Sequence, residues 1–515
     1  MVQIQATAKM RKNLLGTLIV ALLLVRSSSC MFTRDVGVYS SSLLEARNEV
    51  DACGGNDLEV YPIPPGVATR NTFNISVRAA SNLPWTEVGA YQTTLNWINT
   101  TTGGSVIHLS SMAYFDFCNE VQVSLTYNLG RVNSVRIRPD SYNIVPHVVY
   151  HNIIKFTLDQ PRNLVIEVND DIFDCLHLLT NPIETNVPSS NDPNVIYFGP
   201  GVNTVTGGVV HVASNQTVYI AGGAVLKANV AIQNVSDATV RGRGVLLNSP
   251  GGSFTVEYSN NISIYDIISL DPNGYSIVAG DVTNFIVSGL RGFSSKGNGD
   301  GIDLFSCTDA VIDNVFMRNS DDCIAIYNHR WNYYGNSTNI TVQNSSLWAD
   351  VAHPINVGTH GNSDDPEVID NLVIRNIDIL DHREMQMLYQ GCIAFNPGDS
   401  NLIQNVLVED VRVEDFRLGQ LINMRVMYNT KYNTSPGRGI SNVTIKDLVY
   451  NGTHANPSIL VGYDEERTIS NVQFINLTVN GLQIADTMRK PTWYLASDFV
   501  PLYANEHVLN LTFRT

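Results

Sequence analysis

Two short segments place carboxylates at a spacing suited to proton transfer. The first is Gly297-Asn298-Gly299-Asp300-Gly301-Ile302-Asp303. The second is Ser320-Asp321-Asp322-Cys323-Ile324-Ala325-Ile326, with Asp321 lying 21 residues after Asp300. If the chain returns on itself about once in that interval, Asp300 and the Asp321/Asp322 pair stack side by side. Like charges held so close repel, and at least one carboxyl then keeps its proton to higher pH. An acid of that kind beside ionised neighbours is what hydrolysis of a glycosidic bond requires. Two structural alternatives stand beside this reading. Asp next to Gly is common in turns, and stacked acids are also calcium ligands. We expect neither metal nor cofactor.

The following segment, Asp350-Val351-Ala352-His353-Pro354-Ile355-Asn356-Val357-Gly358-Thr359-His360-Gly361, supplies two histidines. His353 falls 31 residues after Asp322, in register with the acids once an inserted loop around His329–Asn336 is discounted. A histidine there would bond an acid and tune it. His360, in a loop before Gly361, is the rival. The loop His329-Arg330-Trp331-Asn332-Tyr333-Tyr334 adds Trp331, Tyr333 and Tyr334, whose faces suit sugar rings or, equally, loop packing.

The elements that must position these residues follow from a repeat. An Asn- or Asp-led β-unit recurs at Asn215, Asp237, Asn261, Asn284, Asp309, Asn339, Asn371, Asn405, Asn442 and Asn471, in steps of 22 to 37 residues. Such a period built from short β-branched runs indicates a solenoid. Helical repeats do not fit the composition, and leucine-rich repeats lack their leucine frame here. A right-handed parallel β-helix over residues 191–515 remains, with strands stacked ~4.8 Å apart. The repeated asparagines are then a turn ladder, and the longer late steps are loops that wall a cleft.

Residues 31–190 have another rhythm. Val121–Leu125, Val135–Ile137, Val148–Tyr150, Ile153–Thr157 and Leu164–Val168 read as strands of a β-sandwich. Thr93–Ile98 has the one helical period there. The chain is therefore all-β, a sandwich followed by a solenoid.

Residues 1–30 read as an address. Lys9, Arg11 and Lys12 precede an apolar run from Leu14 to Val25, followed by Ser27, Ser28, Ser29 and Cys30. This is the layout of a secretory signal peptide. A membrane anchor is the alternative, but twelve residues do not span ~30 Å of hydrocarbon at 1.5 Å each. Thirteen N-x-S/T sequons agree with secretion, at Asn74, Asn99, Asn215, Asn234, Asn261, Asn336, Asn339, Asn344, Asn433, Asn442, Asn451, Asn476 and Asn510. Seven cysteines include no C-x-x-C pair, which disfavours a zinc site. The formal charge of −16 argues against nucleic acid and anionic membrane as partners. We expect a secreted, extracellular monomer whose partner is a polysaccharide.

The spacing N-x-D-G-I-D followed by S-D-D-C-I-A-I resembles glycoside hydrolase family 28, the polygalacturonases, whose β-helix clan also holds family 49, the dextranases and isopullulanases. The resemblance implies an inverting hydrolase with Asp321 as general acid and Asp300 with Asp322 activating water. The family's Gly-His-Gly motif falls on Ala352-His353-Pro354, where only the histidine is kept. Its Arg-Ile-Lys motif, which grips galacturonate, falls on Ala394-Phe395-Asn396, where both cations are missing. Three further features resemble family 49. They are the sandwich with Val135-Arg136-Ile137-Arg138-Pro139, the solenoid entry Tyr197-Phe198-Gly199-Pro200-Gly201, and His353-Pro354-Ile355 followed by Asp381-His382-Arg383. The expectation is an endo-acting hydrolase of a dextran-type α-glucan, with a polygalacturonase-type pectin hydrolase as the alternative. A catalytically dead carbohydrate-binding β-helix and a lyase on the same scaffold are the readings from other classes.

Overall fold

The repeated Asn and Asp residues set the shape of the second half. In the computed structural model, which describes residues 57–99 and 101–515, each of them adopts the left-handed backbone conformation, from Asn215 at φ 63° to Asn510 at φ 57°. Asn and Asp tolerate this region because their short polar side chains bond locally. At each corner the chain can therefore turn sharply and start another coil. The side chains then stack along the axis. The amide of Asn371 donates to Asn339 at 2.8 Å, that of Asn442 to Asn405 at 3.1 Å and that of Asn471 to Asn442 at 3.1 Å.

From Val195 to Arg514 the strands form one continuous stack, parallel except where Leu482–Ile484 turns back antiparallel on Leu477–Val479, and the whole is a right-handed β-helix. Its interior is an aliphatic ladder. Ile277, Ile302, Ile324, Ile355, Ile393 and Ile422 sit directly over one another and are all buried. Alternation in these strands points the intervening residues outward, so Val278, Asp303, Ala325, Asn356, Ala394 and Asn423 form the adjacent outer column. That column is the floor on which the acids stand.

The earlier strands form two sheets. One runs Leu58–Val60, Ser105–Phe117, Asp171–Asn181, Asn163–Val168, Val135–Arg138, with Tyr91–Ile98 paired on Ser105–Phe117; the other runs Thr86–Val88, Phe73–Arg78, Val121–Tyr127, Ile153–Leu158, His147–Val149. Phe73, Val123, Phe115, Ile166 and Leu176 belong to the core packed between them. The last sandwich strand ends at Asn181 and the first solenoid strand begins at Val195. The helical period at Thr93–Ile98 is corrected. Tyr91–Ile98 is a strand, because its alternate residues are buried and all eight pair with Ser105–Met112.

The first sheet lies against the solenoid through Tyr91, Tyr114 and Val165 packed with Val225, Leu270, Phe316 and Trp348. Buried ion pairs cross this contact. Arg138 crosses to Glu414 at 2.6 Å while bonding Glu167 of its own sheet at 2.7 Å, and Arg243 crosses to Asp116 while bonding Asp266 of the solenoid, each at 2.7 Å. Cys118 is in a disulfide, whereas Cys175, Cys307, Cys323 and Cys392 are buried thiols. The signal-peptide reading, Cys30 and Cys53 fall outside the described residues. No helix among the described residues is long and apolar enough to cross a membrane.

Candidate active site

Three successive coils meet at the acids. Gly301 N–H donates to the Asp322 carbonyl at 2.8 Å, and Cys323 N–H donates to the His353 carbonyl at 2.8 Å. Gly301 is required here by approach: a Cβ on it would lie 2.2 Å from the Cys323 carbonyl oxygen. The stack brings one oxygen each of Asp300, Asp321 and Asp322 within 4.8 Å of one another. That is shorter than the about 6.5–9.5 Å general for a two-carboxylate inverting site. Asp321 and Asp322 are neighbours on one coil, and the coil spacing of ~4.8 Å brings Asp300 beside them.

The three carboxylates have different surroundings. Asp322 accepts four donors. Its Oδ1 takes His353 N–H at 3.0 Å and Nδ1 at 2.7 Å, and its Oδ2 takes Tyr327 Oη at 3.0 Å and Asn356 Nδ2 at 2.8 Å. Burial alone would raise its pKa, but the His353 charge and these bonds outweigh burial and lower it. A calcium ion at Asp322 would have to displace these donors. His353 Nε2 faces the Tyr389 carbonyl, which can only accept. With Nδ1 on a carboxylate, both ring nitrogens must carry protons. Burial disfavours that charge, yet Asp322 overrides it and raises the imidazole pKa to about 9.

Asp321 is the most exposed of the three. Desolvation, then the negative charge of Asp322, raises its pKa to about 7. Asp300 is raised well above the carboxylate range, first by burial and then by Asp303, Asp321 and Asp322. Its Oδ1 is buried without a partner. The fixed Asp322 anion is thus surrounded by carboxyls with heightened proton affinity.

The other residues singled out in the sequence divide. Asn298 is exposed, in a left-handed turn two residues before Asp300. His360 stands edge-on to Tyr327 at 5.1 Å and is held neutral, its pKa lowered to about 3 by burial and then by Arg330. It touches the acids only through Tyr327. Trp331 and Tyr334 are exposed, whereas Tyr333 is buried against Phe305 and bonds Glu257. Tyr333 therefore pins the loop, and the other two rings reach solvent, Trp331 under Arg330 at 4.7 Å and Tyr334 stacked on His329 at 4.0 Å.

That loop folds back over earlier coils, with Tyr258 Oη donating to the Asn332 carbonyl at 3.0 Å. A second wall rises on later coils. Tyr389 stacks on Tyr432 at 5.2 Å, Gln386 bonds Tyr432, and Lys431 lies close enough to Asp321 and Glu384 to feel both charges. The acids thus sit between two loop walls. Ala394 and Asn396 are fully buried and bring no charge, and Asn396 has both amide atoms unpartnered.

Sequence reasoning passed over Asp303, Tyr327, Asn356, Tyr389 and Arg330. Asp303 is fully buried with both oxygens unpartnered, and its pKa is raised, first by burial and next by Asp322. The outward alternation of Ile302–Phe305, Ile324–Tyr327 and Ile355–Val357 was the signal for Asp303, Tyr327 and Asn356. Tyr389 and Arg330 come from loops, which carry no such signal.

Comparison with known proteins speaks to the fold and the family. Among solved structures, Dex49A from Penicillium minioluteum superposes with a TM-score of 0.61, covering 88% of this chain and 96% of its own at 12% identity. That likeness speaks for the fold alone. Curated relatives include a probable endopolygalacturonase D of Emericella nidulans, 25% identical over 40% of this chain and 35% of the relative. Another is an exopolygalacturonase of Cochliobolus carbonum, 27% identical over 37% of this chain and 44% of the relative. The chain thus spans less than half the length of the curated relatives it matches. The family model for glycosyl hydrolases family 28 matches residues 205–492, the solenoid with all three aspartates and His353, and on that match the chain belongs to glycosyl hydrolase family 28.

Proposed function

We propose that this protein is a secreted hydrolase that cuts glycosidic bonds within a galacturonate-bearing polysaccharide, with inversion at the anomeric carbon. The observation that supports it most is the split in proton affinity between Asp321, raised to about 7, and Asp322, locked as an anion by His353. Asp321 gives its proton to the leaving glycosidic oxygen. Water held between Asp300 and Asp322 attacks from the other side. Asp322, the carboxylate held as an anion, supplies the negative charge that water needs, and the proton from water goes to the Asp300/Asp322 pair that it bridges. The return of that proton to Asp321, within 4.8 Å, resets the site. Walls before and after the acids leave room for sugars on both sides of the cut, which favours endo action.

Arg330 and Lys431 flank the cluster with positive charge, in place of the absent Arg and Lys at Ala394 and Asn396. They support the pectic substrate, as do the relatives' names. The neutral α-glucan of dextran type is the second reading, favoured by the buried, uncharged Ala394 and Asn396.

Reducing-sugar release from polygalacturonate and dextran, with product anomers read by NMR, tests the proposal. Faster release from polygalacturonate with the inverted anomer is expected. Faster release from dextran overturns the substrate, a retained anomer overturns the stereochemistry, and no release from any polysaccharide returns the chain to the carbohydrate-binding alternative. Viscosity falling faster than ends appear marks endo action.

A further inference from the structure

A second concavity lies on the outer face of the sandwich sheet that carries Phe73–Arg78, Val121–Tyr127 and Ile153–Leu158. Its volume is ≈ 480 Å³, and it shares no lining residue with the acid cluster. Ligand sites commonly run from about 300 to 1,000 Å³. Its chemistry runs against the chain as a whole. The protein carries a net −16, yet this hollow is lined by Arg78, Lys155 and Arg162 against the single carboxylate of Asp159. Asp159 is largely exposed and only loosely paired to Arg162, at 3.9 Å.

The cations are held in place by aromatic rings. The Arg78 guanidinium sits 4.4 Å from the Trp85 centroid, and Lys155 Nζ sits 5.7 Å from the same ring. Arg162 sits 4.3 Å from Tyr142. Arg78 bonds neutral acceptors, Gln122 Oε1 and the Ser81 carbonyl. Its positive charge is thus unneutralised by these bonds, and the ring fixes its plane. Fixed guanidinium and ammonium groups at a partly exposed tryptophan match a ligand with carboxylates spaced along apolar C–H faces.

We infer that this sandwich hollow is a non-catalytic binding site for an acidic oligosaccharide bearing uronate carboxylates, separate from the catalytic cleft. It tethers polymer while the solenoid cuts. The choice of uronate rests on the pectic reading above; the anionic site itself does not.

The test uses the full chain carrying Asp321→Asn, so that ligand is not consumed, titrated calorimetrically with hexagalacturonate. Two classes of site are expected. Adding Arg78→Gln and Lys155→Gln should weaken one class by at least tenfold, because each lost charged bond is worth about a factor of ten or more. Trp85→Ala should weaken the same class, and Lys155→Arg should retain it, which separates lost chemistry from lost folding. In the otherwise native enzyme the Arg78→Gln/Lys155→Gln pair should leave kcat/KM on a short oligomer unchanged and lower it on insoluble polymer. An isotherm insensitive to the Arg78→Gln/Lys155→Gln pair overturns the site. A neutral glucan hexamer or a sulfated hexasaccharide that fills it more tightly overturns the uronate assignment. If the native enzyme cuts only neutral glucan while this titration holds, the pectic reading fails and the sandwich site stands.

Discussion

His353 and Asp322 govern the chemistry of their neighbours. Asp321→Asn should lower kcat on an unactivated polymer by about 10²–10⁴-fold, since an amide has no proton to give the leaving oxygen. In the parent, kcat should fall as pH rises through about 7, where Asp321 loses its proton; a parent profile flat across that range would refute the role. The buried pair also links stability to pH. His353 is raised from 6.5 to about 9, so its contribution is complete below 6.5 and is lost as pH climbs through about 9. Asp322 is lowered, so its contribution is lost only in acid, as pH falls through its depressed value. Melting temperatures between pH 6.5 and 9.5 should therefore decline in the parent and decline less steeply in His353→Gln. Equal slopes would show that His353 is uncharged.

At the scale of the element, the asparagine corner is the part most exposed to a single change. Asn405 holds φ 56°, donates to Asp370 at 2.8 Å and accepts from Asn442. Asn405→Ala forces a left-handed alanine, at roughly 1–2 kcal/mol, and deletes ladder bonds worth about 0.5–1.5 kcal/mol each. Urea unfolding should report about 2–5 kcal/mol lost, and Asn405→Gly should recover the backbone share. The same ladder bears on the sequons. Asn261, Asn339, Asn344, Asn442, Asn476 and Asn510 already use the amide nitrogen in side-chain bonds. Asn433 is buried with its amide bonded to the Thr359 carbonyl. If the protein is secreted as proposed, peptide mapping should find glycan at the exposed Asn234 and Asn451 and none at Asn433.

For the whole molecule, the contact of sandwich with solenoid rests on buried charge. Arg138 is 3% exposed between Glu414 and Glu167. Arg138→Met leaves both carboxylates without it, and breaking a buried pair from one side typically costs about 3–5 kcal/mol. Calorimetry should show that loss, and an unchanged melting temperature would mean that Arg138 does not help to hold the two parts together. The charge of −16 repels a polyanion at long range, a repulsion that salt screens. Turnover on polygalacturonate should therefore rise when salt is first added, then fall as contacts to Arg330 and Lys431 are screened.

The sequence by itself determined the solenoid and the grouping of the acids, because both depend on a period. A corner that needs Asn or Asp recurs once per coil, and a 21-residue step must return Asp321 beside Asp300. It also determined the sandwich strands of simple alternation, though at Thr93–Ile98 a local helical period yielded to eight cross-strand pairs. The tertiary structure alone decided the protonation pattern. The four donors on Asp322 come from two segments, Tyr327 on its own coil and His353 with Asn356 on the next, and burial differs among carboxylates that read alike in a line of letters. It alone decided which loop cations face the cleft, since Arg330 and Lys431 lie 101 positions apart in sequence. The sandwich hollow is of the same kind. Trp85, Arg78 and Lys155 lie on separate segments, and only sheet pairing makes them one surface.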